Sequence, residues 1–270
     1  MPRIDHHVHL YPAELSRDPA AWAAVHAEPH WAKLSLRRRA NGTPVQDFPA
    51  VEQLLHAMDA ADLERAVLLG WYWENADTCA WHNRAMAAWV RAHPDRLSAY
   101  ATLQPAASPE SIAQELNRAR DEGLSGLGEL SPHSVGAPCD GPGMHAALAL
   151  AKAWSWPVNL HVTDPRGRFY PGKIETPAEN FFALFRTWPE VRFILAHWAG
   201  GYDVRALPNV RVDTAAAPLI YGEAAWAMRD HSVRAEQVLF GSDYPLRLYR
   251  DADAATGLAR FAAEARRLER

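Results

Sequence analysis

Eight short runs rich in Val, Ile and Leu, at residues 4–9, 66–69, 98–103, 127–130, 158–162, 191–197, 210–213 and 238–240, alternate with stretches of helical spacing along the whole chain. This alternation constrains the fold more than any other feature. The runs lack strict apolar–polar alternation, as expected of strands buried on both faces. Between them, Val51, Leu54, Leu55 and Met58 follow the i, i+3, i+4, i+7 pattern of one helix face. Residues 75–93 keep a helical pattern until Pro94 stops it. Ser108-Pro109, ahead of Ile112 and Leu116, opens a helix with Pro at its first position. Thr176-Pro177-Ala178-Glu179 predicts a capping box ahead of Phe181, Phe182 and Phe185. Residues 252–270 carry Leu258, Phe261, Ala265 and Leu268 on one side and should close the chain. Eight β-then-α units in 270 residues predict an α/β fold, a (β/α)8 TIM barrel in a single domain spanning 1–270. An open, doubly wound sheet is the alternative. The absence of a Gly-rich phosphate turn after the first run counts against it.

One long insertion, residues 11–49, follows the first run and contains Trp22, Trp31 and the basic run Arg37-Arg38-Arg39. A loop of this length on the catalytic face of a barrel predicts a lid or an oligomer contact, and so a homodimer. The arginine run reads as a solvated helix end. Most of the 11 tryptophans read as core and rim packing, although large amphipathic rings can also wall a pocket.

Composition narrows the function classes. With 49% hydrophobic and 22% charged residues and a net charge of -4, the chain has no basic field to hold a nucleic acid. Cys79 and Cys139 are far apart and form no CxxC, which points to a reducing compartment rather than a disulfide framework. The first run starts at the fourth residue, leaving no room for a signal peptide, and no apolar run approaches the ~18–20 residues that span a membrane. The expectation is a cytoplasmic protein acting on a small molecule, with neither nucleic acid nor membrane as partner.

A barrel places its functional groups at the C-terminal ends of its strands. In Ile4-Asp5-His6-His7-Val8-His9, the period of two puts Asp5, His7 and His9 on one face, where two imidazoles can share a metal ion. Run four ends in Gly128-Glu129-Leu130, run five in Asn159-Leu160-His161, run six in Leu195-Ala196-His197, and run eight leads into Gly241-Ser242-Asp243. Each has an ordinary structural explanation alone: a hydrogen-bonded rim histidine, a helix cap, or, for Glu129, a rim carboxylate salt-bridged to Lys173 or an arginine. Six such residues at the same end of eight strands point together to a metal site.

The stretches Ile4-Asp5-His6-His7-Val8-His9, Asn159-Leu160-His161, Ile194-Leu195-Ala196-His197-Trp198-Ala199-Gly200-Gly201 and Leu239-Phe240-Gly241-Ser242-Asp243-Tyr244-Pro245 resemble the amidohydrolase superfamily. The similarity is to its amidohydrolase-related branch, which includes aminocarboxymuconate-semialdehyde decarboxylase. The resemblance implies that His7, His9, His161 and Asp243 bind a divalent metal, most readily zinc. Asp243 would also take the proton from the metal-bound water. In mononuclear members the position matching His197 orients or activates that water. In binuclear members a carboxylate like Glu129 bridges two ions, with His7, His9 and Asp243 on one and His161 and His197 on the other. The full binuclear set is present, so one or two ions fit the pattern.

Bound Zn²⁺ lowers the pKa of its water to about 7 and polarises a carbonyl. This chemistry serves hydrolysis of an amide, lactone or ester, with Asp243 shuttling the proton. The same site in this branch serves non-oxidative decarboxylation of a ring or dienoic acid, the alternative. Several decarboxylases of the branch carry Glu in place of the first His of HxH, whereas His7 keeps the pattern common to hydrolases. A barrel that only binds a ligand conflicts with the intact set of acid–base groups, and no GxSxG turn supports serine chemistry. For substrate contacts, Trp73, Arg166, Arg168 and Tyr170 lie on the mouth side, as do Trp71, Tyr72, Glu74, Arg247 and Arg250. Arginines there suit an anionic group and aromatics a flat ring. His133 is a further mouth residue, His6 reads as structural, and Asp213 could position a loop or ligand.

Overall fold

The computed structural model describes residues 3–227 and 232–268. Strands β1 (Ile4–Val8), β2 (Arg65–Leu69) and β3 (Leu97–Tyr100) form one parallel sheet. Strands β4 (Leu127–Leu130), β5 (Val158–Leu160), β6 (Phe193–Leu195), β7 (Val210–Asp213) and β8 (Val238–Leu239) form a second, also parallel and in sequence order. The ladder is therefore not continuous, but single parallel bridges cross both seams, Ala101 to Leu127 and Val8 to Tyr244. At the second seam His6 N donates to Phe240 O (2.8 Å) and Asp243 N to His7 O (2.8 Å). The eight strands succeed one another in the expected (β/α)8 order.

Helices α4 (Val51–Ala60), α5 (Ala76–Ala92), α6 (Pro109–Asp121) and α7 (Pro142–Trp154) follow the first four strands. They pack over a core of Val, Leu, Ile, Met and Ala drawn from both layers. Ser108 caps α6 as expected, its Oγ accepting from Ser111 N at 3.2 Å. The later units are shorter: α8 (Phe182–Thr187), α9 (Ala196–Ala199) and α10 (Ala217–Tyr221). The turn after β6 is not a crossover helix, because His197 and Trp198 have φ of 56° in the left-handed region. The capping box at Thr176 does not form. Pro177 takes the N-cap position, a 3₁₀ turn (Ala178–Phe181) precedes α8, and the Thr176 hydroxyl finds no partner among the described residues. Helix α11 (Ala254–Leu268) packs against α4; its expected continuation, 269–270, lies outside the described residues.

The insertion folds into three short helices, α1 (Ala13–Arg17), α2 (Pro19–Val25) and α3 (Pro29–Ser35). Asp18 caps α2 by accepting from Ala21 N at 3.1 Å. These helices build a second core with the loop after β2: Tyr11, Leu15, Trp22, Trp31 and Leu34 pack on Trp71, Tyr72, Trp73 and Cys79. Much of the tryptophan content thus holds the insertion over the barrel mouth. No helix among the described residues is long and apolar enough to cross a membrane.

Candidate metal centre

β1, β3, β5, β6 and β8 stop short of the runs read from sequence, and at β1, β5 and β6 the residues just past the strand are the ones that turn to the mouth. β1 ends at Val8 with His9 just beyond it, and β6 ends at Leu195, two residues before His197. Gly241 lets the segment after β8 pass β1 closely: a Cβ there would stand 2.8 Å from His7 Cβ and 3.2 Å from Asp213 Cβ. Asp243 follows with φ 66°, a left-handed conformation that Asp tolerates better than most residues.

All six predicted ligands converge. His7 Nε2 and His9 Nε2 are 3.2 Å apart. Glu129 Oε2 lies 3.7 Å from the first and 3.5 Å from the second. Asp243 Oδ1 lies 3.8 Å and 3.6 Å from the same two atoms. On the other side, Glu129 Oε1 meets His161 Nδ1 at 2.9 Å and His197 Nε2 at 3.7 Å, and those two nitrogens are 3.3 Å apart. Two groups able to hold a metal ion result, His7–His9–Glu129 and Glu129–His161–His197, sharing the carboxylate. Donors 2.0–2.1 Å from one tetrahedral ion stand about 3.3 Å from each other, so the spacing fits. Mixed imidazole and carboxylate donors suit zinc and manganese alike.

Second contacts aim the imidazoles. His7 Nδ1 donates to Asp213 Oδ2 (2.9 Å), His9 Nδ1 to Leu69 O (3.1 Å) and His197 Nδ1 to Ala215 O (3.0 Å). Each bond leaves Nε2 facing the centre, where a cation could take its lone pair in place of a proton. Asp213 is further held by Asn159 Nδ2 (3.0 Å) and by the His197 and Ala215 amides. Asp5, on the same face as His7, accepts from His7 N (3.1 Å) and Ser242 N (2.9 Å) and so ties β1 to the segment carrying Asp243.

Burial alone would push the His7 imidazole down, but Asp213, Glu129 and Asp243 outweigh it and hold its pKa at about 10. Burial would likewise raise Glu129, yet His161 and His7 keep it well below the usual carboxylate range. Asp213 is lowered against its burial by His7 and His197. Protons thus balance a concentration of buried carboxylate charge, the role a divalent cation takes when it displaces them.

The centre forms one wall of a cavity of about 260 Å³. Arg168 and Tyr170 line it, together with Trp71 and Tyr72. Trp71 stands edge-on to His9 (5.3 Å) and Tyr72 lies 5.1 Å from His161. Trp73 and Arg166 are elsewhere. Trp73 is 0% exposed within the second core, its indole donating to His82 Nδ1 at 3.1 Å. The Arg166 side chain is 68% exposed and pairs with Asp164. The arginine run is not simply a solvated helix end: Arg37 and Arg39 are half-buried and line the cavity, and only Arg38 is exposed. Arg37 rests on the Tyr170 ring, 4.2 Å from its centroid. Lys173 pairs with Glu175 at 2.8 Å, so the partners of Glu129 are histidines rather than a rim lysine. His133 sits away from the cavity against Cys139, Asn180 and Phe181. His6 is half-buried beside the Phe240 backbone, and Arg247 pairs with Asp47. The link from Asp213 to His7 spans 206 residues, and its one sequence signal is that Asp213 also ends a strand.

Comparison with known proteins agrees with this architecture. A family model described as Amidohydrolase matches residues 4–268. No curated protein matches the chain. Among solved structures it is similar to 5-carboxyvanillate decarboxylase from Sphingomonas paucimobilis (TM-score 0.67, 18% identity, covering 97% of this chain and 93% of that one). It is also similar to 5-carboxyvanillate decarboxylase from Novosphingobium aromaticivorans complexed with manganese and 4-hydroxy-3-methoxy-5-nitrobenzoic acid (TM-score 0.68, 16% identity, 95% and 92%). A third is described as a probable 2-pyrone-4,6-dicarboxylic acid hydrolase from Acinetobacter baumannii with citric acid bound (TM-score 0.60, 16% identity, 98% and 92%). At these identities the structures speak for the fold, and the family match over nearly the whole length assigns the chain to the Amidohydro_2 family of amidohydrolases.

Proposed function

We propose that the protein is a metal-dependent hydrolase that uses an activated water to cleave an amide, lactone or ester bond in a small anionic substrate. The observation that carries this reading is the position of Glu129, with one oxygen toward His7 and His9 and the other toward His161 and His197. His7, His9 and Asp243 would hold one cation and His161 and His197 a second, with Glu129 between them. Divalent cations held by these residues, zinc in our reading, would supply a lowered water pKa and polarisation of a carbonyl. Asp243 lines the cavity beside the His7, His9 and His197 imidazoles, where it would take the proton from the attacking water and return it to the leaving group. With a single cation bound, His197 would instead orient the water, its ring fixed by Ala215 O. Trp71, Tyr72 and Tyr170 exclude bulk solvent and hold a planar group, while Arg37 and Arg168 balance a negative charge.

A second reading, decarboxylation of an aromatic acid, is favoured by the stack of Trp71 on Tyr72 (4.3 Å, 25°) beside the histidines. It also draws on the similarity to two decarboxylases that act on 5-carboxyvanillate. One experiment separates them. The metal-loaded protein is screened in ¹⁸O-water against cyclic esters and amides of aromatic and heterocyclic acids, and against the acids themselves. Hydrolysis places ¹⁸O in the product acid. Carbon dioxide release with an unlabelled product overturns the hydrolase reading in favour of the second.

A further inference from the structure

Five consecutive residues, His197 to Gly201, take φ between 53° and 80°, a left-handed run. His197, Trp198 and Ala199 are not glycine, and in each the side chain crowds the following carbonyl. Such a run costs free energy and persists only where its neighbours hold it. It carries His197, one of the two imidazoles assigned above to the second cation.

The run is held from two sides. The segment after β7 grips His197 at three points. His197 N donates to Asp213 Oδ1 (3.2 Å) and Nδ1 to Ala215 O (3.0 Å), while the His197 carbonyl accepts from the Tyr221 hydroxyl at the end of α10 (3.3 Å). The segment after β5 meets the run backbone to backbone: a Cβ on Gly200 would stand 2.5 Å from Thr163 O and 3.2 Å from Asp164 N. That segment begins at His161, the other imidazole of the same cation.

The two sides meet at Asp164, whose side chain is 4% exposed. Arg166 clamps this carboxylate with N (2.8 Å), Nε (2.9 Å) and Nη2 (2.8 Å). The Tyr221 hydroxyl faces two acceptors, His197 O and the Asp164 carboxylate. Burial and that carboxylate push the phenol above its ordinary range, so the hydroxyl keeps the proton it donates.

We propose that Tyr221 and Asp164, backed by Arg166, are positioning residues. They couple the segment carrying His161 to the turn carrying His197, and so fix the spacing of the two imidazoles, 3.3 Å from Nδ1 to Nε2, for the second cation. The bridge reaches the centre through a backbone carbonyl rather than a ligand atom. It rests on the reading of two cations sharing Glu129, and it places Arg166 behind the centre instead of on substrate.

The test is elemental analysis and chelator competition on the manganese-loaded wild type, Tyr221→Phe and Asp164→Asn, with electron paramagnetic resonance of the same samples. The wild type is expected to hold about two ions per chain and to give the signal of a spin-coupled manganese pair. Tyr221→Phe keeps the ring and removes one hydroxyl. It should weaken one ion about tenfold or more and leave the other, so that the pair signal gives way to that of isolated manganese. Asp164→Asn should act on the same ion in the same direction. A merely structural role would lower the thermal midpoint and weaken both ions together. That result, or unchanged affinity for both ions in Tyr221→Phe, overturns the proposal and leaves the two-cation reading standing. A wild-type protein that takes up a single ion even in excess manganese overturns the two-cation reading itself, and the spacing role falls with it.

Discussion

At the scale of single residues, the centre depends on which nitrogen of each imidazole is free. His7, His9 and His197 spend Nδ1 on Asp213, Leu69 O and Ala215 O, and so present Nε2 to a cation. Two of these acceptors are backbone carbonyls, which substitution does not remove; Asp213 is the exception. Asp213→Asn keeps the volume but weakens the acceptor facing His7, and should lower metal affinity about 10–100-fold in a chelator competition assay. Unchanged affinity would show that the bond does not orient the ligand. The six converging residues were legible in the sequence, because a period of two and a position at strand ends both follow from the chain alone. Asp213 was visible as a strand end but not as the partner of a residue 206 positions away. Arg37 read as solvated because nothing local shows that α3 lays it across Tyr170.

At the scale of elements, the insertion and the first turns of α5 are held by an aromatic core with one buried histidine at its base. His82 Nε2 donates to Leu10 O (2.9 Å), and Nδ1 accepts from the Trp73 indole (3.1 Å), a set of bonds that needs the neutral ring. Burial lowers its pKa to about 4 from 6.5. Between those two values the unfolded chain binds a proton that the folded chain refuses, so stability falls as pH drops through this window. The loss attributable to His82 is at most about 3 kcal/mol. Urea unfolding near pH 7 and near pH 4.5 should show a smaller acid loss for His82→Gln than for the wild type; equal losses would remove His82 from the account. Element order was readable from apolar runs, but not the shortness of α8, α9 and α10. Pro177 displaces the cap that Thr176 predicts, and the left-handed residues after β6 replace a helix with a turn. Both effects are set by where the chain must go next rather than by local pattern.

At the scale of the whole molecule, one end of the strand array gathers the chemistry and the insertion roofs it. β1 and the segment after β8, distant in sequence, meet at the second seam and bring Asp243 to His7 and His9. The (β/α)8 order was legible because parallel strands need helices between them; the roof was legible only as a long interruption. The family match over residues 4–268 agrees with the architecture and leaves the reaction to the site. His7→Ala with His9→Ala should leave a folded protein that no longer retains metal, since neither side chain belongs to the apolar core. The most direct test of the central claim is metal content per chain, by elemental analysis of protein purified without added metal or affinity tag and then of the same protein reconstituted with zinc or manganese. The account predicts about two ions, falling on Glu129→Gln without emptying the site. No bound ion, even after reconstitution, would contradict it.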